Sequence, residues 1–104
     1  MSARVFTVQS DSMAPEYPVN AEVLADDIDP NQIRPGYAYI VGTSTDEHSK
    51  LCRVLRISRK SITIGFNKSG RSDRVRRSEI VFAALVYGIK RRGVRTKWQQ
   101  AKKA

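Results

Sequence analysis

The chain has 104 residues, 40% of them hydrophobic, with 19 basic and 10 acidic side chains, enough for one small domain, since domains commonly hold about 100–150 residues. No apolar run approaches the ~18 residues of a membrane span, and the start Met1-Ser2-Ala3-Arg4 carries no apolar leader, so a cytoplasmic address and no membrane partner are expected. A single cysteine, Cys52, and a single histidine, His48, exclude an internal disulfide and a self-contained Cys/His zinc cage, so no metal or cofactor is expected and stability has to come from ordinary burial.

The first segment with strand character is Arg4-Val5-Phe6-Thr7-Val8, short and β-branched, which runs into the polar cluster Gln9-Ser10-Asp11-Ser12 and then Pro15 and Pro18. Glu22-Val23-Leu24-Ala25-Asp26 is a second strand. Pro35-Gly36 signals a turn before a third, Tyr37-Ala38-Tyr39-Ile40-Val41, and residues 42–49 form a polar connection. Leu51 to Ile57 and Ser61 to Phe66 flank the three residues Ser58-Arg59-Lys60, a hairpin spacing. Residues 67–77 read as polar and irregular. Ile80 to Ile89 is the longest apolar run, and its β-branched content favours a long buried or interface strand over a helix. The tail from Lys90 to Ala104, with Trp98 among its basic residues, is consistent with a short amphipathic helix or with disorder. Many short strands and no long amphipathic helix predict a small, mostly-β domain over residues 1–91, followed by a basic tail over 92–104. No helix-turn-helix fits this order, so any contact with DNA is expected to use loops, strands or the tail.

Charge is unevenly placed. Residues 1–49 hold two basic and eight acidic side chains, a net of −6, whereas residues 50–104 hold 17 and two, a net of +15. Such polarity points to an anionic partner such as nucleic acid, an acidic protein or acidic lipid, although a solvated arginine-rich rim has the same composition.

Ser12-Met13, the turn and strand Asn20-Ala21-Glu22-Val23-Leu24-Ala25-Asp26, Gly36-Tyr37, Cys52-Arg53, Asn67 and the final Val86-Tyr87-Gly88-Ile89-Lys90-Arg91 follow one another in a recognisable order. In this order the chain resembles the C-terminal domain of the LexA/UmuD family of self-cleaving repressors, a group with more remote likeness to signal peptidases, over nearly its whole length up to about Arg91. The resemblance implies a twisted, partly barrel-like β-sheet, a repressor-type regulatory role in an SOS or phage context, dimerisation, and a serine-lysine peptidase site with Ser12 as nucleophile. A serine hydroxyl is a weak nucleophile at neutral pH, and the family's neutral, buried lysine takes its proton. The register through Arg53 and Asn67 puts Cys52 at that lysine's position. Lys50 is two residues away, displaced by roughly 7 Å on an extended strand and at a hydrated hairpin end, where an ammonium stays charged. His48 is farther still. A buried thiol stays protonated and is too short to imitate lysine, so Cys52 reads as a small core hydrophobe. Asn20-Ala21-Glu22 replaces the family's Asp-Gly-Asp turn, and with only eleven residues before Ser12 an intact dyad is expected to act only on another chain. The expectation is a non-catalytic regulatory or assembly domain. The alternatives are a peptidase acting in trans through Ser12 and a non-specific nucleic-acid-binding protein.

The family's last strand commonly lies at the subunit contact, which makes Val81 to Tyr87 the expected homodimer strand, with internal burial as the plain alternative. Nucleic-acid contact, if made, is expected from Arg71, Arg74, Arg76, Arg77, Lys90, Arg91, Arg92, Arg95, Lys97, Lys102 and Lys103, with Trp98 placed to stack on a base. No pattern for reading base edges is visible.

Overall fold

Short β-branched runs separated by proline, glycine and polar clusters cannot propagate helix and instead pair in a sheet. The computed structural model describes residues 3–46, 49–67, 70–90 and 99–100 of the chain. Its strands are β1 (Ala3–Thr7), β2 (Glu22–Asp27), β3 (Ala38–Thr43), β4 (Lys50–Ile57), β5 (Ser61–Gly65), β6 (Ser72–Arg76), β7 (Ile80–Lys90) and β8 (Gln99–Gln100). They form one antiparallel sheet in the order β1-β2-β7-β3-β4-β5-β6, with β8 alongside β7. The mostly-β domain expected from the sequence is therefore what the chain forms, as an open sheet ending in β1 and β6.

Two details depart from the sequence reading. Residues 72–76 are a strand, not irregular chain; Ser72-Asp73-Arg74-Val75-Arg76 pairs residue by residue with β5 although only Val75 and the neighbouring Arg77 turn inward at all. An edge strand need bury only one line of side chains and is often charged, which erases the hydrophobic signal. In the tail, Gln99–Gln100 are extended against Gly88 and Ile89 rather than helical.

The sheet buries opposite faces in its two halves. Val23 and Ala25 of β2, Ala84 and Val86 of β7 and Ile40 of β3 form one core with Val8, Met13, Tyr17 and Ala21 of the first long loop. Tyr39 and Val41 of β3, Cys52 and Val54 of β4, and Ile62 and Ile64 of β5 face the other way, into a second core closed by Ile33 and Ile80. Because successive strand residues alternate in direction, β3 and β4 each supply both cores. On β4 this alternation separates Leu51, packed on the first core, from Cys52, wholly inside the second.

β7 is the long apolar run, and it is central: β2 pairs with its residues 84–90 and β3 with residues 80–85. Ala83, Ala84 and Val86 are consumed internally, while Val81 (66% exposed) and Tyr87 (37%) remain at the surface. Among the described residues no helix is long and apolar enough to cross a membrane.

Candidate functional site

Residues 9–20 form a loop whose two ends are tied together. Val8 N donates to Ala21 O (2.8 Å) and Asn20 N to Val8 O (2.9 Å), so the loop leaves and rejoins the sheet at one place. Asn20 closes it with φ of 72°, a left-handed conformation that asparagine tolerates better than most residues. Inside the loop Ala14 N donates to Asp11 O and Tyr17 N to Met13 O, both at 2.9 Å, and the intervening Ala14-Pro15 bond is cis. Met13 and Tyr17, each 1% exposed, pin it into the first core.

The far side of the loop is clamped from β4 and from the end of β5. Arg53, 6% exposed, donates through Nη2 to Glu16 Oε1 (2.5 Å) and through Nη1 to Gly36 O (2.9 Å). Asn67 Nδ2 donates to the same Glu16 oxygen (3.0 Å) and to Met13 O (3.3 Å). Gly36, with φ of 94°, provides the turn that aims its carbonyl at Arg53. Four landmarks far apart in sequence, Ser12-Met13, Gly36, Arg53 and Asn67, are thus joined in one network. Glu16 is its hub, which the sequence reading missed; the only signal was a glutamate three residues after Met13. The Tyr17 hydroxyl is buried beside the Arg53 guanidinium without a hydrogen bond of good geometry, and burial first, with the Glu16 charge second, pushes its pKa up to about 12.

Ser12 lines a cleft of about 660 Å³ whose apolar lining includes Phe6, Val8, Ile40, Leu51 and Phe66, with Ser10, Ser49 and Lys50 among its polar lining residues. The Ser12 hydroxyl shares a hydrogen bond with Ser10 Oγ at 2.9 Å, and Ser12 N donates to that oxygen at 3.4 Å. Lys50 lines the same cleft, yet its Nζ is 3.2 Å from Asp46 Oδ2 and its side chain is 47% exposed. Among the described residues Lys50 makes its ion pair with Asp46 and no hydrogen bond to Ser12. Cys52 lies across the sheet from the cleft, and desolvation pushes its thiol up to about 12, so it is neutral at neutral pH. From β4, Leu51 lines the cleft together with Lys50. Among the described residues no cluster of three or more His, Cys, Asp or Glu is arranged to hold a metal.

Of the expected nucleic-acid residues, Arg74 and Arg76 are exposed on β6 and Arg71 lies exposed just before it, while Arg77 donates through Nη1 to Ser58 O (3.2 Å) and so braces the β4-β5 turn. The side chain of Lys90, and Arg91, Arg92, Arg95, Lys97, Trp98, Lys102 and Lys103, lie outside the described residues, as does His48. No protein-family model, curated protein or solved structure matches the chain.

Proposed function

We propose that the chain is a non-catalytic regulatory or assembly domain of the LexA/UmuD type, one that keeps a serine-bearing cleft without a base to activate the serine. The observation that carries this reading is the pairing in and around the cleft: the Ser12 hydroxyl shares a hydrogen bond with the Ser10 hydroxyl, and Lys50, which lines the cleft with Leu51, is ion-paired with Asp46. General-base catalysis needs an unprotonated acceptor within hydrogen-bond reach of the hydroxyl, directly or through one water. The clamp of Arg53, Glu16 and Asn67 supports the same reading, because it fixes the loop's shape, and a fixed cleft can hold an extended chain segment without cutting it. Self-association belongs to this proposal. With both edges of β7 already paired, the contact would use its exposed side chains, Val81 and Tyr87.

The test is a cleavage assay on extended peptides and unfolded proteins with wild type, Ser12→Ala and Lys50→Ala. Identical, background-level hydrolysis in all three is expected, and turnover abolished by Ser12→Ala or Lys50→Ala would establish the trans-acting peptidase instead.

A further inference from the structure

The register of β4, β5 and β6 places side chains that the sequence scatters over twenty residues onto one surface. Arg56 is paired with Thr63, and Thr63 with Arg74, so the three form a single cross-strand row. Ile62 and Ile64, on either side of Thr63, point into the second core, hence the row points the other way, to solvent. Arg76, opposite Ser61, is the next residue of β6 on that face. Sheet spacings put the Arg56 and Arg74 backbones about 10 Å apart and those of Arg74 and Arg76 about 7 Å apart. The turn between β4 and β5 adds Arg59 and Lys60, held by Ser58 N to Ser61 O (2.8 Å) and by Arg77 N to Lys60 O (2.8 Å).

Within the three strands nothing acidic on this face offsets the group. Asp73 is the one acidic residue in β4, β5 and β6, and its partner Ile64 places it on the opposite side. Arg56, Arg59, Lys60, Arg74 and Arg76 are all exposed and make no ion pair among the described residues. Like charges so close on one face repel, an arrangement relieved when a polyanion lies across them. The centre of the row is a hydroxyl, Thr63, rather than a bulky side chain. No aromatic residue stands on β4, β5 or β6 to stack on an unpaired base. These features fit a stiff, densely charged phosphate backbone better than a flexible strand or a mixed-charge protein surface.

We infer that this face, built from Arg56, Arg59, Lys60, Arg74 and Arg76, binds the phosphodiester backbone of double-stranded nucleic acid without reading its sequence. The inference stands apart from the reading of the Ser12 cleft. Its test is binding of the full chain to a short mixed-sequence DNA duplex, its single strand and polyglutamate over a salt series. Two double variants of equal charge are compared: Arg56→Gln/Arg74→Gln on the face, and Arg4→Gln/Arg34→Gln in the acidic half. The face variant is expected to bind the duplex roughly tenfold or more weakly than the other at low salt, and to flatten the dependence of log K on log salt by about 2. Thermal unfolding of both variants checks that they fold. Equal affinity and equal salt slopes for the two folded variants would overturn the inference. So would single strand or polyglutamate binding to wild type as tightly as the duplex does.

Discussion

At the scale of single residues, buried acids shape the chain's response to alkali: burial raises the pKa of Tyr39, and more strongly those of Cys52 and Tyr17. Cys52 has its pKa raised from 9.0, and Tyr17 from 10.0, each to about 12. Well below pH 9 both groups are protonated whether the chain is folded or not, and they contribute nothing to pH dependence. Above it the unfolded chain releases protons that the folded chain keeps, so unfolding becomes easier by up to about 1.4 kcal/mol per pH unit for each group. Urea unfolding midpoints should therefore fall from about pH 9 for wild type and only from about pH 10 for Cys52→Ala, which removes the thiol's share. Matching pH profiles for the two proteins would show that the thiol is not so deeply buried. The sequence reading of Cys52 as a small hydrophobe in the interior agrees with its 0% exposure. Which core it enters was not legible, because period-two alternation gives relative facing along a strand but not the face that each half of a sheet buries.

At the scale of elements, the serine loop is held by side chains as well as by its own backbone. Arg53 is nearly buried and satisfies both Glu16 and Gly36, so its removal strands a carboxylate and a carbonyl together. Breaking a fully buried pair costs about 3–5 kcal/mol; with Glu16 28% exposed, water recovers part of that, and Arg53→Ala is expected to lose about 2–3 kcal/mol. Asn67→Ala, which removes two longer hydrogen bonds, should lose about 1 kcal/mol. Equilibrium denaturation checks both, and a near-neutral Arg53→Ala would mean that the loop is held otherwise. The six strands with β-branched or aromatic runs were readable because periodicity and turn residues agreed there. β6 was not, since its pairing rests on backbone hydrogen bonds that composition does not encode. Likewise Arg53 and Asn67 were visible as landmarks, but the Glu16 hub needed tertiary proximity.

Over the whole molecule, the charge asymmetry of the sequence becomes an asymmetry of the sheet. Glu22, Asp26 and Asp27 lie on β2 near one end of the strand order, and Arg56 of β4 with Arg74 and Arg76 of β6, which make no ion pair among the described residues, lie toward the other. Screening acts mostly on the self-repelling basic end, within a Debye length of about 10 Å at 0.1 M salt. Thermal stability should thus rise as salt is added from a low starting concentration, and Arg56→Gln/Arg74→Gln should show a smaller rise. A melting temperature that falls with salt in wild type would mean that attraction between the halves outweighs repulsion within one. Charge totals were legible from the sequence alone, whereas the row Arg56-Thr63-Arg74 was not, because it depends on the bulge between Val54 and Arg56 that shifts the β4-β5 register.

The central claim is that the Ser12 hydroxyl has no base, and intact-mass measurement after exposure to a reactive fluorophosphonate tests it most directly. Such reagents modify serines whose proton is being withdrawn and leave ordinary hydroxyls untouched. The wild-type mass should remain unchanged under conditions that fully label a working serine hydrolase. A single stoichiometric adduct on wild type, missing from Ser12→Ala, would contradict the account.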